Sequence, residues 1–263
     1  MLELFTARDE QTIFSDLTLR IREAAQRGEK GQILLVPDQY SHYAERLLCS
    51  MCDDDICLYA QVLSFKRLAT RVFEQSGKLA RRPLDEGARL LTMAAALSEV
   101  SSKLKYFSSS GLRPEVCKKL LSAVKELKNA EISPLLLADT ADAAEGPLGA
   151  KLSDMALIYG AYDALRSRGS IDSDDELTML ADVLELSPFA NERSIYIAGF
   201  TDFTAQQLRC VKNLILSAKK VTVGLTVTSD RCVQKKTAAR LLTLLQQSVK
   251  VFSPSVSPDL LLI

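Results

Sequence analysis

Four consecutive apolar residues, Ile33, Leu34, Leu35 and Val36, are stopped by Pro37. A strand wet on one face would alternate apolar and polar positions. A run without alternation is buried on both faces, the situation of a strand inside a parallel sheet covered by helices. The segment "SHYAERLLCSM" that follows has helical spacing, "LYAQVLSF" reads as a second strand, and "KRLATRVFEQSG" reads as a helix ended by Gly77. Upstream, a first strand leads into a helix capped by Asp9 or Thr12. That helix runs to about Gln26 with Ile13, Leu17, Leu19 and Ile21 as its apolar positions, and Gly28 and Gly31 bracket the turn after it. Strand and helix therefore alternate, as in a parallel sheet with crossover helices.

The alternation breaks at "ARRPLDEG". From Leu84 to about Leu186 every strong signal is helical: "DEGARLLTMAAALSEV", "RPEVCKKLLSAVKELKNA", "GAKLSDMALIYGAYDALRSRG" and "SDDELTMLADVLEL" carry apolar residues at i, i+3 and i+4, and "TADAAEGPLG" is the clearest loop among them. Strands return after Pro188, with "RSIYIAGF" and "KKVTVGLTV" as strands and "TAQQLRCVKNLILSA" and "AARLLTLLQQSV" as helices. The expected organisation is α/β over residues 1–82, a helical insertion over 83–189, and α/β again over 190–263.

Charge excludes some partners. The 263 residues carry no net charge, so no global field draws the chain to nucleic acid or membrane, and any polyanion site must be a local patch. No apolar run approaches the roughly 20 residues that span a bilayer. The start, "MLELFTARDEQ", lacks a basic segment followed by an apolar core, which leads us to expect a cytoplasmic protein with reduced thiols. The apolar ending "DLLLI" leads us to expect a piece of something longer.

Two places in such a sheet ordinarily hold a nucleotide and its metal, and both are chemically wrong here. The first strand-to-helix turn, where a phosphate loop needs glycines and a lysine, reads Phe-Thr-Ala-Arg-Asp-Glu-Gln-Thr over residues 5–12. The strand "SIYIA" ends on Ala198 and Gly199, where nucleotide-driven motors keep carboxylates for Mg²⁺ and water. Other chemistry is thin. His42 is the single histidine and reads as a polar residue rather than a base. Cys49, Cys52 and Cys57 lack a fourth ligand for a tetrahedral metal site, and Cys117, Cys210 and Cys232 are scattered. Asp38 with Glu126 and Lys128 spells a nuclease pattern only if the latter pair lies on a strand, and its surroundings are helical.

The carboxyl ends of the other strands are richer. "VPDQYSHYAE" puts Gln39 and Ser41 there, and "VLSFKRLATR" puts Ser64, Phe65, Lys66 and Arg67 at the same edge, where open α/β sheets bind ligands. A hydroxyl, an aromatic face and cations are what a single-strand channel uses. Lys66, Arg67, Arg71, Lys78, Arg81 and Arg82 make the densest basic run, which a solvated helix face would also explain.

Taken in order, the misfit first loop, "ILLVPDQYSHYAERLL", "AQVLSFKRLATRVFEQSGKLARRPLDEGARLL" and "IYIAGFTDFTAQQLRCVKNLI" resemble the helicase-like N-terminal region of the AddB subunit of bacterial AddAB helicase-nucleases. "GSIDSDDELTMLADVL" is similar to the Ile-Asp-x-x-Asp-x-Leu signature at the return from the helical insertion of superfamily-one helicases. The resemblance implies a RecA-like (P-loop-NTPase-like) sheet as domain 1A, split by an all-helical domain 1B. It implies an ATPase-inactive module of a recombination-repair helicase-nuclease, which binds the 3′ single strand and scans for the Chi hotspot. The implied partners are that strand and an AddA-like helicase-nuclease subunit in a heterodimer, with no membrane. No cofactor is implied for this stretch: ATP belongs to the partner motor, and Mg²⁺ and a 4Fe–4S cluster belong to a nuclease domain further along the parent. By motif, Gln39 and Ser41 correspond to a first DNA-contact loop and Phe65 and Arg67 to a second; Ser64 and Lys66 stand beside them as further DNA-binding candidates from their place at the edge. Phe200 and Phe203 correspond to the strand end that replaces the acidic motif, and Thr70 stands where relatives can carry a large aromatic. A docking domain without DNA contact and a divergent nucleotide hydrolase are the alternative readings.

Overall fold

The computed structural model describes residues 2–51, 54–77, 85–108, 113–167, 176–226 and 250–252. The chain divides into two compact units, Met1–Leu79 with Met179–Ile263, and Ala80–Thr178.

The first unit is built on a parallel sheet. Its strands are β1 (Leu2–Ala7), β2 (Gln32–Leu35), β3 (Ala60–Leu63), β4 (Ser194–Ile197), β5 (Lys220–Thr226) and β6 (Lys250–Phe252), in spatial order β3-β2-β4-β5-β1-β6. Every pairing is parallel. All four positions of β2 and of β4 are buried, which accounts for the missing alternation. Gln32, the polar member of β2, is satisfied by the carbonyls of Glu29 and Lys30 and by the hydroxyl of Tyr196. Burial pushes that tyrosine's pKa up to about 12.

Helices α1 (Glu10–Gln26), α2 (Ser41–Met51) and α3 (Phe65–Gln75) follow the first strands. Asp9 is the cap of α1, as expected. Ile13, Phe14, Leu17 and Ile21 form its buried stripe, whereas Leu19 is turned to solvent. Gly224 of β5 lets α1 sit close on the sheet, because a Cβ there would overlap the Cγ2 of Ile13. Strands expected to reach Phe65 and Phe200 stop earlier: Ser64 caps α3, Phe65 is its first residue, and β4 ends at Ile197.

The second unit holds α4 (Glu86–Val100), α5 (Pro114–Asn129), α6 (Pro134–Ala143) and α7 (Gly146–Ser167). Met93, Leu97, Leu120, Val124, Ile158 and Tyr162 lie in its core. The loop expected over 140–149 is reduced to a break at Ala144, whose extended backbone ends α6, and α7 starts at Gly146. Pro147 is accommodated because the first turn of a helix has no use for its N–H. Helix α6 itself, capped by Ser133 with Pro134 at its start, carries no periodic signal strong enough to be read from the sequence. Asp154, 1% exposed, accepts backbone N–H bonds from Lys105, Tyr106 and Phe107 and ties down the segment after α4. Glu126 and Lys128 lie on α5, and Lys128 is buried against Asp163 at 3.2 Å, so they form no nuclease pattern with Asp38.

The first unit resumes at Met179 rather than at the expected 190. Helix α8 (Glu176–Leu186) buries Leu180, Ala181, Val183 and Leu184. It is bound to α9 (Ala205–Ser217) through Asn213, whose amide donates to the carbonyl of Ala181, and through an Arg209–Asp182 ion pair. The sequence "AARLLTLLQQSV" lies outside the described residues.

Candidate nucleic-acid interface at the carboxyl edge of the sheet

Leu35 of β2 is in register with Leu63 of β3 and with Ile197 of β4. Adjacent strands lie about 4.8 Å apart. The segments that follow these strands therefore leave the sheet side by side, and they carry all eight candidate residues.

After β2, Pro37 has no N–H to continue the ladder, and Asp38–Tyr40 turn through one 3₁₀ step into α2. Gln39 is exposed at this turn. Ser41 opens α2 with its Oγ shielded from solvent and without a hydrogen-bond partner among the described residues. After β3 there is no loop. Ser64 is 2% exposed and its Oγ accepts from the N–H of Arg67 at 3.4 Å, so it is a helix cap rather than a free hydroxyl. Lys66 and Arg67 stand exposed in the first turn of α3. Arg67 pairs with Glu45 of α2 at 2.6 Å, and Lys66 has no ion-pair partner among the described residues. No acidic residue occupies that turn, so two cations sit at the positive end of the helix dipole, where an anion is favoured and a cation is not.

After β4, Gly199 has a positive φ of 78°. A Cβ there would lie 3.0 Å from Tyr40, 3.2 Å from Phe14 and 3.3 Å from Pro37. Conformation and space both demand glycine, so a carboxylate cannot stand there. The preceding Ala198 is wholly buried. Phe65, Phe200 and Phe203 then come together: Phe65 meets Phe200 edge-on at 5.5 Å, and Phe200 stacks on Phe203 at 4.9 Å. Phe65 is 7% exposed and Phe203 3% exposed, whereas Phe200 is partly exposed. The two buried rings therefore hold the third in place. Thr204 starts α9 with a reciprocal capping box to Gln207.

The first strand-to-helix turn is closed from within. Both carboxylate oxygens of Asp9 accept from Thr12, at 2.7 Å from its backbone N–H and 2.8 Å from its hydroxyl. These bonds hold the Asp9 carboxyl below its ordinary value. Glu10 accepts from the hydroxyl of Tyr40 at 2.8 Å, and Tyr40 packs on Phe14 at 5.7 Å. The orphan N–H groups and positive dipole that a phosphate would use already face two carboxylates. These residues do not fit a nucleotide phosphate. Tyr40 and Phe14 are the participants that sequence reasoning misses, since nothing in "VPDQY" announces a ring reaching across two strands to Glu10.

Gln39 and Ser41 share the edge with this cluster but make no hydrogen bond or ring contact with it among the described residues. Lys78, Arg81 and Arg82 lie outside the described residues, as does most of the Ile-Asp-x-x-Asp-x-Leu stretch. His42 is exposed in the first turn of α2. Cys49 and Cys57 are exposed and Cys117 and Cys210 buried, while Cys52 and Cys232 lie outside the described residues. Among the described residues no three His, Cys, Asp or Glu side chains cluster as metal ligands. No described helix is long and apolar enough to cross a membrane.

The fold defines the class as an α/β protein, a parallel sheet interrupted in sequence by a helical unit, which is consistent with a helicase-like architecture. The family described as "ADDB, N-terminal" matches residues 15–252, and the chain belongs to this family. The B subunit of an ATP-dependent helicase/deoxyribonuclease from Caldanaerobacter subterraneus subsp. tengcongensis is 37% identical over 196 residues, which is 74% of this chain and 17% of that protein. The protein of the same description from Clostridium tetani is 31% identical over 217 residues, 81% of this chain and 18% of the relative. That from Clostridium acetobutylicum is 29% identical over 230 residues, 84% and 20% respectively. The chain thus spans about a fifth or less of the length of these relatives.

Proposed function

We propose that this chain is the ATPase-inactive, RecA-like module of a DNA-break-repair helicase-nuclease, with Met1–Leu79 and Met179–Ile263 as domain 1A and Ala80–Thr178 as domain 1B. It grips the emerging 3′ single strand at the carboxyl edge of the sheet, scans it for the Chi hotspot, and works in the cytoplasm beside an AddA-like motor subunit. ATP turnover and strand cleavage belong to other parts of the assembly.

The observation that carries this reading is the pairing of a self-closed phosphate turn with an open edge. Asp9, Glu10 and Tyr40 occupy the turn where a nucleotide would sit, and Gly199 has no room for a metal-binding side chain. At the strand ends beside them, Gln39, Lys66, Arg67 and Phe200 are exposed or partly exposed. Cations at a helix N-terminus supply a place for phosphate, and a braced ring supplies a face for a base. The Arg67–Glu45 pair is half-exposed on both sides and contributes little to stability, so a phosphate can displace the carboxylate.

A fluorescence-anisotropy titration with a labelled single-stranded oligonucleotide at several salt concentrations tests the reading. The expected result is saturable binding that weakens as salt rises, because bound cations release counterions. Absence of binding at low salt, or Mg²⁺-dependent ATP turnover by the purified chain, would overturn it. A second reading, docking of the motor subunit without DNA contact, is favoured by exposed leucines on the helical unit: Leu91 is 74%, Leu135 73% and Leu148 59% exposed. Loss of partner capture on replacing these leucines, with oligonucleotide binding absent in the wild type, would select it.

A further inference from the structure

The sheet carries a recess at its opposite end. A cavity of about 440 Å³ opens at the amino edge, where β2 and β3 begin and the chain enters β4. Strands of four residues separate the two ends by roughly 13 Å. The recess is therefore distinct from the carboxyl-edge loops.

Its chemistry is organised around Arg193. The guanidinium lies over the ring of Phe189 at 4.0 Å. One amino group donates to the carbonyl of Phe189, and the other donates to the Oε1 of Gln75 at 3.3 Å. Burial holds the guanidinium below the usual arginine value. A part-buried cation ordinarily has a carboxylate for company, yet Arg193 makes no ion pair among the described residues. Its remaining N–H groups have no acceptor among those residues. Because Gln75 gives its oxygen to Arg193, its amide nitrogen is left to donate.

The wall adds Arg71, Glu74 and Gln61. Arg71 and Glu74 meet only at 3.8 Å and are both mostly exposed, so their pair holds Arg71 weakly. Arg193 and Arg71 are matched in number by Glu74 and by Glu192, whose charge reaches Arg193, so an anion would be held here by aimed donors rather than by net charge. A guanidinium held over a ring and by two acceptors is restrained more than a mobile lysine is, and its fork of donors suits an oxyanion. The volume falls in the range of small-molecule sites.

We propose that this recess at the amino edge binds the oxyanion group, carboxylate or phosphate, of a small molecule, with Arg193 and the Gln75 amide as its donors and Arg71 closing from the rim. Such a site lies apart from the polynucleotide-binding edge, and its occupancy does not depend on the reading given for that edge.

The test is an NMR titration of the isotopically labelled chain with inorganic phosphate and, separately, with citrate, following the Arg193 Nε–H and the Gln61 and Gln75 side-chain amides. At least one anion should give saturable shifts, and the tighter of the two identifies the group. Gln75→Glu places a carboxylate in the recess without removing the Arg193–Phe189 stack and should weaken binding roughly tenfold or more. Arg193→Lys keeps the charge but loses the fork and should weaken it similarly; circular-dichroism melting of each variant checks the fold. The proposal is overturned if neither anion gives saturable shifts, or if a folded Gln75→Glu chain binds as the wild type does. Displacement of the bound anion by a single-stranded oligonucleotide would also overturn it, by making the recess part of the polynucleotide surface.

Discussion

Phe65 and Phe200 touch at 5.5 Å, yet their replacement should have opposite consequences. Phe65 is 7% exposed and stands at the start of α3, so Phe65→Ala leaves a cavity in the first unit. Removal of a buried phenylalanine side chain costs about 3–5 kcal/mol. Phe200 is partly exposed, and its structural worth lies in its ring contacts with Phe65 and Phe203, each about 0.5–1.5 kcal/mol. Phe200→Ala should therefore destabilise by only about 1–3 kcal/mol. Its effect on single-strand binding should be larger in relative terms, because loss of one stacked base costs about 1–3 kcal/mol, or roughly 5- to 150-fold in affinity. The assay pairs urea denaturation with the anisotropy titration, performed where each variant is fully folded. Phe65→Leu, which keeps most of the packing volume, should bind nearly as the wild type does. If Phe200→Ala binds unchanged while a folded Phe65→Leu loses binding, the buried ring rather than the half-exposed one makes the contact, and the division of labour drawn from their exposures is wrong.

Asp154→Ala should destabilise the helical unit by about 3 kcal/mol or more, since the N–H groups of Lys105, Tyr106 and Phe107 lose their shared acceptor at about 1–3 kcal/mol each; thermal melting and hydrogen exchange at those amides would read it. For Glu3, burial pushes the carboxyl up, but the hydrogen bond and charge of Lys220 and the charge of Arg20 outweigh it and hold the pKa below its ordinary 4.5. The unfolded chain then binds the proton more readily, so this stabilisation is present above pH 4.5 and is lost as pH falls through the lowered native value. Wild-type urea midpoints should therefore drop in that window more steeply than those of Glu3→Gln. Gly199→Ala adds a methyl group 3.0 Å from Tyr40 at a left-handed backbone position, and should lower the melting temperature and shift the Tyr40 and Phe14 ring resonances together.

Much of this architecture was legible because burial on both faces writes itself into sequence. Ile33–Val36 announced a parallel strand, and Pro37 announced where it stops. The alternation of strand and helix put Gln39, Ser41 and residues 64–67 at one edge, and the register of Leu35 with Leu63 and Ile197 shows them emerging together. Spatial order was not legible: no local signal says that β4 pairs with β2 while β1 lies between β5 and β6. Nor could exposure be read from residue type. Phe65, Phe200 and Phe203 look alike in sequence, and only packing across two strand ends separates the buried pair from the presented ring. Ser64 looked like a ligand-binding hydroxyl and is a helix cap, because a serine before a helical turn finds its nearest donor in its own backbone. The loop expected near Gly146 failed for a related reason: glycine and proline mark a helix start as readily as a loop.

Photocrosslinking of a single-stranded oligonucleotide to the chain, with crosslinked peptides mapped by mass spectrometry, asks most directly whether the carboxyl edge grips a polynucleotide. Crosslinks should fall at Gln39, at Lys66 or Arg67, and at Phe200, and should fade together as salt is raised. Crosslinks confined to the helical unit or to the amino edge around Arg193, with these loops untouched, would contradict it.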